Sequence, residues 1–179
     1  MKNYFIIHGA YGNNKENWFG WLEEILQSKG NDVYNFNYPT PDGQNFENWS
    51  NVLNKVKDKI NDESVFVCHS ISCAFLAKYC IVNKIKIGKA IFVSGFNNYY
   101  FIEDFDKINK HMYMETLEGF EKQCKERICI YSKTDPYVKL EALQAFAKEI
   151  KAKEIVYDDA GHFNASAGYT TFEDLLKFL

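Results

Sequence analysis

The chain has 179 residues, 46% of them hydrophobic and 25% charged, and its formal net charge is −3. This length suits one domain, which we take to span residues 1–179, and such a domain buries enough surface to fold without a metal or disulfide staple. Lysines and acidic residues are interspersed along the sequence, so no basic stripe indicates a nucleic-acid partner.

The sequence holds five cysteines, and none of them lies in a CxxC pair or in a cysteine–histidine cluster with metal-ligand spacing. The odd number and the apolar neighbours favour buried, reduced thiols over a zinc site or disulfides, and we expect no cofactor. The first apolar run covers residues 4–7 only, which is too short for a signal sequence, and no later segment is long enough to span a membrane. We therefore expect a cytoplasmic protein with no membrane partner.

Short apolar runs alternate with segments of helical periodicity along the chain. In chain order the runs predict strands over residues 4–7, 32–38, 65–67, 90–93, 128–131 and 155–157. The periodic segments predict helices over residues 18–26, 46–60, 71–82, 140–150 and 172–179. A right-handed crossover places a helix between successive parallel strands, so the fold class is predicted to be α/β. We expect a three-layer sandwich, in which helices cover both faces of a mostly parallel sheet of about six strands.

Residues 96–123 depart from this alternation. The segment is too long for a simple crossover and is rich in aromatic and aliphatic residues. It is predicted to form a small cap over the strand ends. No repeat, low-complexity stretch or linker indicates a second domain.

Polar residues follow four of the predicted strands. His8-Gly9-Ala10 comes after the first strand, Ser70 after the third, Asp135 after the fifth and His162 after the sixth. In open α/β sheets, ligands bind beyond the carboxyl ends of the strands. These residues are therefore the candidates for chemistry.

Ser70 lies between a short apolar strand and a helix, with the small residues Cys68 and Ser72 two places to either side. A sharp turn between strand and helix exposes a serine hydroxyl as a nucleophile and tolerates only small flanking residues, usually glycines. Serine is also a common cap at the start of a helix. The local sequence leaves both interpretations of Ser70 open.

The order of the candidate residues along the chain favours a catalytic role for Ser70, because serine hydrolases of this architecture present Ser, then Asp or Glu, then His. We predict Ser70 as nucleophile, His162 as general base and Asp135 as the acid that orients the imidazole. Asp135 precedes a proline and also fits a turn, and His162 also fits an exposed loop. Asp158 and Asp159 are rival acids that better suit the turn before His162.

Two further groups complete the predicted site. The backbone N–H groups of Ala10 and Ile71 are candidates for the oxyanion hole. Aromatic residues near the strand ends are candidates for the substrate pocket or for the core: Trp18, Phe96 and Tyr137, together with Tyr38, Tyr99 and Tyr100. His8 and His69 are expected to orient loops by hydrogen bonding, without a role in proton transfer.

With these motifs in place, the sequence resembles the retinoblastoma-binding protein nine family of compact α/β-hydrolases. The resemblance is carried by Ile6-Ile7-His8-Gly9-Ala10, Cys68-His69-Ser70-Ile71-Ser72-Cys73, Ser132-Lys133-Thr134-Asp135-Pro136-Tyr137-Val138 and Gly161-His162-Phe163-Asn164. It implies a Ser70, Asp135 and His162 triad, no metal, and small ester or amide substrates. The Leu-x-Cys-x-Glu motif tied to that family's partner binding does not occur here, so the protein partner stays unknown.

Three hypotheses follow. The first is a serine hydrolase that cleaves a small carboxylic ester, thioester or amide through an acyl-Ser70 intermediate. The second is a binding module that uses a hydrolase scaffold without catalysis, since the turn at Ser70 lacks both glycines. The third is a cysteine hydrolase that uses Cys68 or Cys73.

Overall fold

A six-stranded parallel sheet forms the centre of the computed structural model, which describes residues 2–98 and 103–179. The strands are β1 Asn3–Ile7, β2 Asp32–Asn35, β3 Val65–His69, β4 Ile87–Val93, β5 Cys124–Ser132 and β6 Lys153–Tyr157. Their order in the sheet is β2-β1-β3-β4-β5-β6, and each neighbouring pair is parallel. The predicted α/β class and strand number are confirmed.

The strand order reverses direction between β1 and β3. From β1 the chain moves outward to β2 and then returns to place β3 on the other side of β1. Loops that leave β1 and β3 therefore diverge and open a crevice at the carboxyl end of the sheet, where ligands bind in folds of this kind. The loop after β1 carries Gly9 and Ala10, and the loop after β3 carries Ser70.

The helices follow the predicted segments, with two differences. The α-helices are α1 Phe19–Ser28, α2 Phe46–Asn54, α3 Ser72–Asn83, α4 Glu103–Asn109 and α5 Leu140–Glu149. The helix predicted over residues 46–60 ends at Asn54, because Val56 leaves the helical region at φ −127° and ψ 23°; a 3₁₀ turn, Lys57–Lys59, follows. The predicted last helix is a 3₁₀ helix, Glu173–Phe178, because a segment this short is shaped by the packing of its apolar side chains.

Helices cover both faces of the sheet, as predicted. One core contains Phe5 and Ile7 of β1 and packs against α2, α3 and α5; the other contains Tyr4 and Ile6 and packs against α1 and the last 3₁₀ helix. Alternate strand residues thus point to opposite cores, the pattern of a sheet buried on both faces. Among the described residues, no helix has the length and apolarity needed to cross a membrane.

The segment predicted as a cap has two parts. Met112, Leu117 and Phe120 are fully buried in the core beside α3 and α5. Phe105, Asp106 and Asn109 of α4 line the cavity described below. Tyr99 and Tyr100, grouped with the pocket aromatics on sequence, lie outside the described residues. A cap over the strand ends stays a prediction.

Candidate active site

Ser70 occupies the tight turn that joins β3 to α3. Its backbone lies in the left-handed region at φ 62°, which few residues other than glycine adopt and which often marks a functional site. The Ser70 N–H donates a hydrogen bond to the Val93 carbonyl at the end of β4, 2.8 Å away. The turn is therefore fixed to the neighbouring strand, with the serine at its apex.

Ser72 holds this turn through its hydroxyl. Its Oγ accepts a hydrogen bond from the His69 N–H at 2.8 Å and lies 2.8 Å from the Ile7 carbonyl at the end of β1. A glycine, usual at this position, has no side chain to make either contact. Ser72 therefore does more than fit into a small space, because its hydroxyl links the turn after β3 to the end of β1.

Asp135 and His162 form a close pair across two loops. Asp135 Oδ2 lies 2.7 Å from His162 Nδ1, and Asp135 Oδ1 accepts from the N–H groups of Tyr137 at 2.9 Å and Val138 at 3.0 Å. Burial opposes ionisation of Asp135, but the bonds from His162 and the two amides outweigh it and lower the pKa of the carboxyl. The carboxylate is an acceptor only, so His162 Nδ1 donates the hydrogen bond, and in the neutral form of the ring Nε2 carries the lone pair.

The rival acids have other partners. Asp158 forms an ion pair with Lys133 at 2.6 Å, and Asp159 accepts from the Thr134 hydroxyl at 2.9 Å. Both contacts tie the loop after β5 to the loop after β6. The His162 ring donates its hydrogen bond to Asp135, the acid that chain order favours.

Ser70 and His162 line one cavity of about 300 Å³. Within residues 2–98 and 103–179, neither Ser70 Oγ nor His162 Nε2 forms a hydrogen bond, so both atoms are available to a bound molecule. Contacts between a nucleophile and its base are often loose in a site without substrate and tighten when one binds.

The loop after β1 approaches Ser70 closely. A Cβ atom on Gly9 would lie 2.9 Å from Ser70 Cβ, so only glycine fits there without displacing the serine. His8 Nδ1 donates to the Gly9 carbonyl at 2.8 Å, and His8 Nε2 accepts from the Tyr38 N–H at 2.9 Å. The N–H of a trans peptide points opposite to its carbonyl, so the bond from His8 also sets the direction of the Ala10 N–H.

The backbone N–H groups of Ala10 and Ile71 are the two predicted for an oxyanion hole. Among the described residues, neither N–H donates a hydrogen bond to a protein acceptor. Ala10 lines the cavity, and Ile71 follows Ser70 at the N-cap of α3, where backbone N–H groups and the helix dipole favour negative charge.

Two buried side chains hold the loop that carries His162. His69 Nε2 lies 2.8 Å from the His162 carbonyl, and Trp18 Nε1 donates to the Phe163 carbonyl at 2.9 Å. Burial lowers the pKa of His69 to about 3, and the nearby His162 adds to this. His69 is therefore neutral and donates from Nε2. Gly161, at φ 53°, gives this loop its turn before His162.

A family model described as serine hydrolase matches residues 4–179. The chain belongs to the serine hydrolase family. It is 25% identical over 173 residues to YdeN of Bacillus subtilis (strain 168), an alignment that covers 95% of this chain and 90% of YdeN.

Solved structures share the fold of this family member. The crystal structure of the ydeN gene product from B. subtilis superposes with a TM-score of 0.90 at 23% identity, and the alignment covers 99% of this chain and 96% of that one. An esterase from Exiguobacterium antarcticum gives a TM-score of 0.73 at 14% identity, with 99% and 91% covered. A hydrolase from Oleispira antarctica gives 0.72 at 13%, with 99% and 90% covered.

The pocket of this serine hydrolase family member differs in part from the prediction. Phe96 and Tyr137 line the cavity. Trp18 does not, and the prediction that it lines the pocket is wrong: its ring is fully buried against Phe19 and Phe172, and its indole N–H holds the His162 loop. Tyr38 is likewise buried, in the core beside α2.

Several cavity residues were not predicted from the sequence. Phe105 of α4 contacts the ring of Tyr11 at a centroid distance of 5.4 Å and the ring of Tyr137 at 5.9 Å. These three aromatic rings line the cavity together with two acidic residues, Glu16 and Asp106. The position of Tyr11 and Glu16 after the first strand was the available sequence signal for them.

The five cysteines are free and buried. Burial raises the pKa of the Cys68 and Cys73 thiols well above the usual value, and neither residue lines the cavity. Such thiols are poor nucleophiles, so nothing in the described site favours a cysteine hydrolase. In the same described ranges, no three His, Cys, Asp or Glu side chains are grouped so that they could hold a metal.

Proposed function

We propose that this member of the serine hydrolase family is an enzyme that cleaves a small carboxylic ester, thioester or amide through an acyl-Ser70 intermediate. The observation that carries the proposal is one cavity lined by Ser70, at the apex of its turn, and by His162, whose Nδ1 is bonded to Asp135. The narrower grouping with the retinoblastoma-binding protein nine family rests on the sequence motifs and is part of the proposal, as is a cytoplasmic location.

In the proposed reaction, His162 Nε2 takes the hydroxyl proton while Ser70 Oγ attacks the carbonyl carbon of the substrate. Asp135 stabilises the imidazolium that forms, and the N–H groups of Ala10 and Ile71 bind the oxyanion. The imidazolium then gives its proton to the leaving alcohol, thiol or amine, and the C–O, C–S or C–N bond breaks. Water, deprotonated by His162, hydrolyses the acyl-enzyme and returns the serine to its starting form.

The size of the cavity favours small acyl groups. Its volume of about 300 Å³ is at the lower end of the range for ligand pockets. Phe96, Tyr137 and Val138 give it an apolar wall. An ester substrate is further supported by the fold shared with the E. antarcticum protein, which is named an esterase.

The proposal is tested by Ser70→Ala with p-nitrophenyl butyrate as substrate and a fluorophosphonate as active-site label. We expect kcat/KM to fall at least about a thousandfold and the label to be lost. Ser28→Ala is the matched control, because Ser28 is exposed and bonds only its own helix at Ile25. An unchanged rate in Ser70→Ala, or a wild-type protein that neither hydrolyses the ester nor takes up the label, would overturn the proposal.

A further inference from the structure

Asn109 is a buried polar residue in the wall of the cavity that holds Ser70. It is the last residue of α4, lines the cavity and is only 3% exposed. Its Oδ1 accepts a hydrogen bond from Gln44 Nε2 at 2.7 Å. Within residues 2–98 and 103–179, its Nδ2 donates to no protein atom. Buried polar groups nearly always have a partner, so this amide is suited to bind a molecule in the cavity.

We propose that Asn109 selects acyl groups that carry a second oxygen atom. Its side-chain N–H donates a hydrogen bond to an ether, hydroxyl or carbonyl oxygen of the acyl group, in addition to the bonds that the reacting carbonyl makes. This inference rests on the proposed function and names the substrate class of the same site.

The hydrogen bonds of Gln44 fix which end of the Asn109 amide faces the cavity. Gln44 Nε2 lies 3.3 Å from the Ile108 carbonyl. A carbonyl oxygen can only accept, so the Gln44 atom beside it must be the nitrogen. The same NH₂ group donates to Asn109, whose contacting atom is therefore the oxygen. The NH₂ end of the Asn109 amide is left for the cavity.

The same network joins Asn109 to the loop after β1. Gln44 Oε1 accepts from the Thr40 hydroxyl at 2.6 Å, and Thr40 Oγ1 accepts from the Tyr11 N–H at 2.8 Å. Tyr11 follows Ala10, whose N–H is a predicted donor of the oxyanion hole. Gln44 is only 5% exposed, so water competes little for these bonds. The network therefore holds the Asn109 amide at a set position relative to the reacting carbonyl.

The position of Asn109 suits contact with the acyl group. In the proposed reaction, His162 gives its proton to the leaving group, and His162 follows β6 at one edge of the sheet. Gln44 and Tyr11, which anchor Asn109, follow β2 and β1 on the other side of β3. The leaving group therefore lies toward β6, and the acyl group extends toward β1 and β2.

Pairs of p-nitrophenyl esters test the proposal. In each pair, one CH₂ group of the acyl chain is replaced by oxygen: the methoxyacetate is compared with the butyrate, and the 3-methoxypropanoate with the pentanoate. Each kcat/KM is divided by the rate constant for hydroxide-catalysed hydrolysis of the same ester, which removes the difference in intrinsic reactivity. The oxygen preference of a protein is the ratio of the two normalised values within a pair.

Asn109→Asp keeps an acceptor for Gln44 Nε2 and replaces the donor that faces the cavity by an oxygen. We expect its oxygen preference to be about tenfold below that of the wild type in at least one pair, since one hydrogen bond to an uncharged group has an effect of this order. Asn109→Leu removes the donor without adding charge and should show the same loss. Circular dichroism checks that each variant folds, and the leucine variant decides if the aspartate variant does not.

Asn61→Asp is the matched control. Asn61 is exposed in the loop before β3, at the opposite end of that strand from Ser70, and its Oδ1 also accepts from a protein donor, the Glu63 N–H at 2.9 Å. Its oxygen preference should equal that of the wild type. An equal loss in Asn61→Asp would assign the effect to net charge and would overturn the inference.

The remaining outcomes separate this inference from the proposed function. If the wild type hydrolyses the esters and both Asn109 variants keep its oxygen preference in both pairs, the amide binds only water and the inference is wrong, while the proposed function stands. If the wild type hydrolyses none of the four esters, the proposed function is overturned and the inference with it.

Discussion

At the scale of single residues, two neutral histidines act as hydrogen-bond donors to carbonyls of the site. His8 holds the Gly9 carbonyl beside the predicted oxyanion amide, and His69 holds the carbonyl of His162. Burial lowers the pKa of both rings, so each keeps one N–H for its carbonyl near neutral pH. Neither role needs proton transfer, in line with the loop-orienting roles expected from the sequence.

His69→Phe is predicted to impair catalysis by releasing the His162 loop. Phenylalanine keeps the packing against Trp18 and Phe19 but cannot donate to the His162 carbonyl, so the imidazole is held less firmly. We expect kcat on p-nitrophenyl butyrate to fall about tenfold to a hundredfold, because small displacements of catalytic groups cost this much, while KM changes little. Steady-state kinetics give both values.

His69→Gln is the conservative partner of this change, because its amide N–H can reach toward the same carbonyl. It should recover a large part of the lost kcat, and His111→Phe, at an exposed position in the turn after α4, should match the wild type. Equal kcat values for the Phe and Gln variants would mean that His69 serves only as packing.

At the scale of elements, the turn between β3 and α3 depends on a hydroxyl that joins it to β1. Ser72→Ala removes the acceptor for the His69 N–H and the contact with the Ile7 carbonyl, both buried. We expect the free energy of unfolding in urea to fall by about 1–3 kcal/mol. Fluorophosphonate labelling of Ser70 should also slow, because the left-handed turn loses a support.

Ser72→Gly distinguishes the hydroxyl from the size of the side chain. If small size were the requirement, the glycine variant would label as fast as the wild type. We expect it to be at least as unstable as Ser72→Ala, because glycine in a helix adds a backbone-entropy cost of about 1 kcal/mol. A wild-type labelling rate in both variants would contradict the role given to Ser72.

The elements themselves were predictable, because burial on both sheet faces makes strands continuous apolar runs and makes helices periodic. The positions of Ser70, Asp135 and His162 at the ends of strands were predictable too, and chain order is the basis of the roles proposed for them. The contacts that hold these three residues in place were not predictable. Ser72 was read only as a small residue, because its partner Ile7 lies in another strand.

Tertiary contacts also explain the error at Trp18. An aromatic residue near a strand end looks the same in sequence whether it lines a pocket or fills a core. The indole N–H of Trp18 donates to the carbonyl of Phe163, which lies 145 positions further along the chain. No local sequence pattern indicates such a contact. Glu16 and Asp106 were missed for the same reason, since only the folded chain brings α4 beside the loop after β1.

At the scale of the whole molecule, buried neutral histidines make stability depend on pH. The pKa of His69 is about 3 in the folded protein and about 6.5 in an unfolded chain. Between these values the unfolded state binds a proton that the folded state does not, so acid favours unfolding and stability rises with pH. His8 acts in the same direction, because burial lowers its pKa also.

We predict that stability falls well before the carboxylates titrate. Between pH 7.5 and pH 5, the His69 contribution alone lowers the free energy of unfolding by about 2 kcal/mol. Asp135 affects stability in a different pH range. Folding lowers its pKa, so its stabilising effect is present above the ordinary carboxyl pKa of about 4. This effect is lost only as the pH falls below that value. Urea unfolding at a series of pH values between 5 and 7.5 measures the slope.

His69→Gln removes the titrating ring, so its free energy of unfolding should change less between pH 7.5 and pH 5, by about 2 kcal/mol. Trp18→Phe is the matched control: it loses a neighbouring donor to the same loop but no group that titrates in this range. Its stability should be lower than that of the wild type by a constant amount at every pH. If His69→Gln kept the slope of the wild type, the imidazole would have to accept a proton in the folded protein near pH 6, and its assignment as a neutral donor to His162 would be wrong.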